Sequence, residues 1–227
     1  CGVCPSCQKA DKLIHPDIHY IFPVATTKSI KTDPVSDHFL VEWRKFIIDL
    51  PYPSLSGWMH YLEIDNKQGG IFKKEAEELL RKMNLKAFES DYKVVIVWLP
   101  EKMNAATANK LLKIIEEPPA KTVFLLIAEQ TQTILPTILS RTQLIRIPRF
   151  SNEDILEGMN LMYPDQGSKI SELVPLSDGN ILTAINLLNT NEQVQFNQDQ
   201  FIQLMRMAFR YKVNEILSWL PEIAAIG

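Results

Sequence analysis

Three groups of residues in this chain are of types that do chemistry. Cys1, Cys4 and Cys7 recur at a spacing of three. Three thiolates on tight turns suit a soft cation, and structural Zn²⁺ takes four tetrahedral ligands. The fourth would lie upstream of Cys1 or be His15; without metal, these are three thiols at a chain end. Ser140-Arg141 closes the run ILPTILSR. An arginine projecting there can stabilise the charge spread over a transferred phosphoryl group. Taken alone, the blander reading is preferred: a surface arginine near a helix C-terminus, favoured by the macrodipole. The third group is a strand end. The β-branched run at 93–97 stops at Trp98, Leu99 and Pro100. A buried strand of this kind in a nucleotide-hydrolysing α/β protein usually ends in acids that hold Mg²⁺ and aim a water. Indole and isobutyl groups do neither. Glu101 is the first acid beyond, on the far side of Pro100.

These groups sit in a chain of ordinary globular composition. Its 227 residues suit one large domain or two modest ones, and 46% hydrophobic content can bury a sizeable core. A net charge of −3 announces no global basic field. No apolar run reaches membrane-spanning length and no signal peptide is visible. All three cysteines fall in the first seven residues, so no disulfide framework is expected, and a metal knuckle in an intracellular protein is. Starting at Cys1 and ending at Gly227 after a helical pattern, the chain reads as a fragment of a longer protein.

The expected elements alternate. Residues 18–24 read as a strand. Residues 26–70 read as an excursion with little regular structure, apart from a short helix in VEWRKFIIDL. An amphipathic helix covers 71–88, with Phe72, Ala76, Leu79, Leu80 and Met83 on one face and Glu77–Arg81 and Glu78–Lys82 pairs on the other. The strand at 93–97 leads to a helix capped by Asn104, with Ala105, Ala108, Leu111, Leu112 and Ile115 as its stripe, stopping before Pro118. A buried strand follows at 121–127, a short helix at 134–141 and a last strand at 143–147. This order predicts an α/β layer with a parallel sheet. After Pro148 only helices are expected. The first is capped by Ser151 with Asp154, and two more flank SDGN, where Gly179 permits a positive-φ turn. Phe201, Leu204, Met205, Ala208 and Phe209 mark a further helix.

In this order, CGVCPSCQKADKLIHPD, KVVIVWLPEKMNAATANKLLKIIEEPP and FLLIAEQTQTILPTILSRTQLIRI resemble the delta-prime subunits of the bacterial DNA polymerase III clamp loader, of the AAA+ family. The resemblance covers residues 1–25 and 71–190. It implies an AAA+ α/β module at 1–148 whose N-terminal part is missing, a three-helix lid at 149–192 and the start of an all-α collar at 193–227. The family's knuckle has four cysteines, which places the first upstream of Cys1, Cys4 and Cys7; its phosphate-cradling loop would also lie upstream.

The resemblance also implies roles. Relatives that hydrolyse ATP carry Asp-Glu where Trp98 and Leu99 stand, and an arginine where Leu182 stands. They carry a polar residue near Ala128-Glu129. These departures imply a subunit without ATPase or polymerase activity of its own. Arg141 matches the family's Ser-Arg-Cys motif, with Thr142 for cysteine, and by resemblance is an arginine finger reaching a neighbour's ATP. That reverses the blander reading. The implied partners are the gamma/tau motor and delta subunits in a hetero-oligomeric ring, with the sliding clamp and primed DNA, in the bacterial cytoplasm and away from membrane. Structural zinc is the one cofactor implied. The alternative is a hydrolysing motor subunit using Glu101. The aromatics Trp43, Phe46, Tyr52, Trp58 and Tyr61 in the excursion are expected to be packing residues.

Overall fold

The computed structural model describes residues 2–50, 52–211, 217 and 219, and only the backbone of 190–200. Two compact units divide the chain, Cys1–Ile145 and Arg146–Gly227.

In the first unit a short helix α1 (Pro5–Asp11) precedes strand β1 (Ile18–Ile21). Helices α2 (Leu40–Asp49), α3 (Leu55–Tyr61) and α4 (Lys73–Met83) follow. Strand β2 (Lys93–Trp98), helix α5 (Ala105–Glu116), strand β3 (Thr122–Ile127) and helix α6 (Pro136–Leu139) complete it. The sheet is parallel in the order β1-β2-β3, with Ile21 opposite Val97 and Trp98 opposite Ile127. Parallel neighbours need crossovers, and the intervening helices provide them.

Alternation along the strands builds two cores. Ile21, Val95 and Val97 face α4, α5 and α6 and pack with Leu79, Leu111 and Ile138. Tyr20, Phe22 and Trp98 face the other way, into an aromatic cluster with Phe39, Trp43, Phe46 and Trp58. The excursion at 26–70 is therefore not irregular. Trp43 and Phe46 are buried from α2, and Trp58 and Met59 from α3. At three-residue spacing, aromatic side chains seated on the sheet stabilise helices too short to persist alone. The packing expectation holds for Trp43, Phe46 and Trp58, while Tyr61 stacks on Trp58 from an exposed position.

Buried polar groups tie the unit together. Asp17 accepts N–H bonds from Phe88 (2.6 Å), Glu89 (2.9 Å) and Ser90 (2.9 Å). Lys93 donates from Nζ to Met83 O (2.9 Å) and to Leu85 O, satisfying carbonyls at the end of α4. On α4, Ala76, Leu79, Leu80 and Met83 share the expected face, Phe72 packs into the aromatic cluster instead, and the ion pairs differ from those expected. Glu78 meets Arg81 at 2.7 Å, Lys82 meets Asp37 at 2.6 Å and Glu77 meets Lys110 at 2.5 Å. Lys82 and Glu77 took partners from other elements, while Glu78 paired within the helix at a spacing of three instead of four.

Two strand expectations need correction. Strand β3 forms but is covered on one face only: Val123, Leu125 and Ile127 are 41–51% exposed. Residues 143–147 form no strand; Leu144, Ile145 and Ile147 are exposed in irregular chain. An apolar run becomes a strand only with a ladder partner, and this one has none among the described residues.

The second unit packs α7 (Asn152–Met162), α8 (Gly167–Leu173) and α9 (Ile181–Phe209) around Ile155, Met159, Ile170, Ile181 and Ala184. Ser151 and Asp154 form the expected capping box. Gly179 turns into α9 at φ 73°. Where two helices were expected on either side of 190–197, α9 runs on as one. Nothing in the intervening INLLNTNEQVQFNQ breaks a helix: it holds neither glycine nor proline.

Candidate functional site

Helix α5 separates the two chemical ends of the first unit. The chain leaves β2 at Trp98, turns through a 3₁₀ segment at Pro100–Lys102, and enters α5 under the Asn104 cap, whose side chain accepts from Thr107 N at 2.8 Å. Twelve residues later α5 ends at Glu116. At 1.5 Å per residue the two ends lie about 18 Å apart.

At the first end the expected acids are replaced by core. Trp98 is buried with its ring 5.1 Å from that of Trp43, and Leu99 is buried beside it. Leu99 holds a left-handed backbone (φ 55°), donates its N–H to Ile127 O at 2.8 Å and accepts from Lys102 N at 2.9 Å. A non-glycine residue there is strained, and burial of its side chain offsets the strain. Glu101 is turned toward the loop after β3. Its Oε1 accepts from Glu129 N (3.1 Å) and Gln130 N (3.3 Å), while its Oε2 is buried with no hydrogen-bond partner among the described residues. Burial, and then the Glu101 charge, push the Glu129 carboxyl above its ordinary range. Ala128 packs against the core.

At the other end stands Arg141. Its Nε donates to Glu116 Oε2 at 2.8 Å, and its Nη1 to Thr137 O at 3.0 Å and Ser140 Oγ at 3.5 Å. Its Nη2 has no partner among the described residues. Ser140 ends α6 and donates to Thr137 O at 3.3 Å. Thr142 donates from Oγ1 to Ile138 O and Leu139 O, both at 3.2 Å, so the hydroxyl in the cysteine's place closes the turn that presents Arg141. A guanidinium held by two of its nitrogens and open at the third can meet an anion outside this chain.

The cysteine cluster is only partly in view, since Cys1 lies outside the described residues. Cys4 caps α1, and its Sγ accepts from Cys7 N at 3.5 Å. Hydrogen bonds from Cys4 and from the Gly2 backbone hold the Cys7 thiol below its ordinary range. Two cysteines on one turn, one thiol biased toward thiolate, suit half of a tetrahedral zinc set. Among the described residues no third metal-binding side chain joins them. His15 does not. Its Nδ1 accepts from Asp17 N at 3.1 Å, which leaves the proton on Nε2, facing Ser6 Oγ at 2.7 Å and Glu89 Oε1 at 3.3 Å. Both ring nitrogens are engaged, and the ring fastens α1 to the unit. Leu182 lies in the second unit on the first turn of α9, where its N–H donates to Asn180 Oδ1 at 2.9 Å.

Residues 1–151 match the DNA polymerase III, delta subunit family. The chain belongs to that family. A DNA polymerase III subunit delta′ from Pseudomonas aeruginosa is 31% identical over 188 residues, which is 82% of this chain and 45% of the relative. The tau subunit of Bacillus subtilis is 28% identical over 113 residues, 48% of this chain and 20% of the relative. The chain thus spans less than half the length of these relatives. A solved gamma subunit-related protein of DNA polymerase III from Thermotoga maritima overlays at a TM-score of 0.40 and 20% identity, covering 82% of this chain and 58% of its own. Among the described residues no helix is long and apolar enough to cross a membrane.

Glu116 escaped the sequence reading. An acid in the last turn of a helix opposes the macrodipole, where lysine or arginine would be favoured. That mismatch was the available signal.

Proposed function

We propose that this chain is part of a non-hydrolysing subunit of the replicative clamp loader, and that Arg141 serves the ATP site of a neighbouring subunit. The observation that carries this reading is the separation along α5. The strand end that would hold Mg²⁺ is filled by Trp98 and Leu99. Arg141 stands at the opposite end of the helix, too far to serve a nucleotide there, with Nη2 bonded to no group among the described residues. In this reading the guanidinium stabilises charge on the transferred phosphoryl group in trans. Leu182 supplies no second cation. The partners are the gamma/tau motor and delta subunits in a ring that opens the sliding clamp and places it on primed DNA, in the cytoplasm. Cys1, Cys4 and Cys7 supply three thiolates to a structural zinc that fixes α1.

The test is a reconstituted loader carrying Arg141→Ala in the full-length subunit. Assembly should persist, while DNA-stimulated turnover at the served site falls on the order of 10³-fold. Unchanged turnover would refute the role. A hydrolysing motor subunit is the second reading, favoured by the unpaired Oε2 of Glu101 and the resemblance to a tau subunit. It requires steady ATP turnover by the purified subunit alone, abolished by Glu101→Gln.

A further inference from the structure

The end of α5 places a carboxylate against the arginine that the proposed function depends on. Glu116 occupies the last turn, where its charge is unfavourable to the helix itself. Its side chain is 55% exposed and free to turn into solvent, yet it reaches across to Arg141 Nε at 2.8 Å. The arginine side chain is only 31% exposed, and Thr137 O takes Nη1 from the other side. Carboxylate and carbonyl together fix the guanidinium plane. They use Nε and Nη1 and leave the two N–H groups of Nη2 without a partner among the described residues.

We infer that Glu116 is a positioning residue: its carboxylate orients the Arg141 guanidinium so that Nη2 is presented to a phosphoryl oxygen on the adjoining subunit. This rests on the reading of Arg141 as the trans-acting arginine. A long side chain left unheld loses rotamer entropy on meeting the phosphate, and an orienting hydrogen bond removes part of that loss beforehand. The contribution is made at the transition state, so it acts on kcat and leaves the KM for ATP in place. It depends on an acceptor for Nε and not on the negative charge, so glutamine suffices.

The experiment uses the full-length subunit in the reconstituted loader, with primed DNA and clamp, comparing Arg141→Ala, Glu116→Ala, Glu116→Gln, Glu116→Lys and the double alanine variant. Glu116→Ala should lower kcat about tenfold at the served site with KM for ATP unchanged. Glu116→Gln should retain most of the turnover. Glu116→Lys, which evicts the guanidinium, should fall at least as far as Glu116→Ala. The double variant should turn over no more slowly than Arg141→Ala, because Glu116 acts through that side chain. Additive losses in the double variant would overturn the inference, as would a loss in Glu116→Gln equal to that in Glu116→Ala. A rise in turnover in Glu116→Ala would overturn it too, since Glu116 would then compete with the phosphate. If Glu116→Ala is silent while Arg141→Ala is not, the positioning role fails and the arginine's role stands. If Arg141→Ala is silent, both fail.

Discussion

Glu75 is a carboxyl group buried where α4 meets the chain at Ser36, and its Oε2 accepts from Ser36 N at 2.6 Å and Ser36 Oγ at 3.0 Å. Burial pushes it up to about 7, against the pull of those two donors. The folded state therefore holds the proton more tightly than the unfolded chain. Its contribution to stability is complete below about pH 4.5 and is lost as pH rises through about 7. In the limit the difference is roughly 3 kcal/mol. Glu75→Gln keeps an acceptor for Ser36 and removes the charge. Denaturant midpoints measured from pH 4.5 to 8 should fall for the native residue relative to the glutamine variant; parallel curves would refute this. Single residues were unevenly legible. Arg141 stood out because its neighbours spell a motif. Glu75 did not, because an acid among KKEAEE reads as one more solvated charge until the fold buries it.

Elements with chemical punctuation were legible at their ends. Asn104 and Ser151 were named as caps from sequence, and both accept the expected N–H bonds. Helix α2 was readable in VEWRKFIIDL, whereas α3 was harder to see because Pro53 and Gly57 interrupt its spacing and its apolar face is covered only in the tertiary structure. The strand expected at 143–147 illustrates the reverse error: alternation supplies a face but not a partner. The turn before α9 gives a direct test. A Cβ on Gly179 would lie 2.7 Å from Arg149 Cβ and 2.8 Å from Phe150 O, at a φ of +73°. Gly179→Ala should destabilise the second unit by about 2 kcal/mol, read by urea denaturation, with the first unit's transition unchanged. A neutral substitution would mean that the turn relaxes freely. At the end of β2, Trp98→Asp should cost about 4 kcal/mol or more, since it empties an aromatic site and buries a charge. It should restore no hydrolysis. Recovery of ATPase by that change would show that the strand end is a functional site lacking only its acid.

Across the whole molecule, the parallel sheet and the helices of the second unit's described residues were readable from the change in periodicity after Pro148. That β3 would show one bare face was not, because Val123, Phe124, Leu125, Leu126 and Ile127 form an unbroken apolar run that gives no hint of which side is covered. Exposed apolar side chains along an edge strand invite self-association. Val123→Thr with Leu125→Thr should raise the solubility of this 227-residue chain, measured by light scattering, without lowering the cooperativity of unfolding. The aromatic cluster, finally, gives the molecule an optical signature. Trp43 lies within 5.1 Å of both Trp58 and Trp98, ring to ring. Indoles that close couple electronically, so the near-ultraviolet circular dichroism of the folded chain should carry a strong signed band that vanishes when the first unit opens. Trp219 is the remaining tryptophan. With Trp219→Phe, all remaining indole emission comes from this cluster, and the folding of the first unit can be followed by light alone.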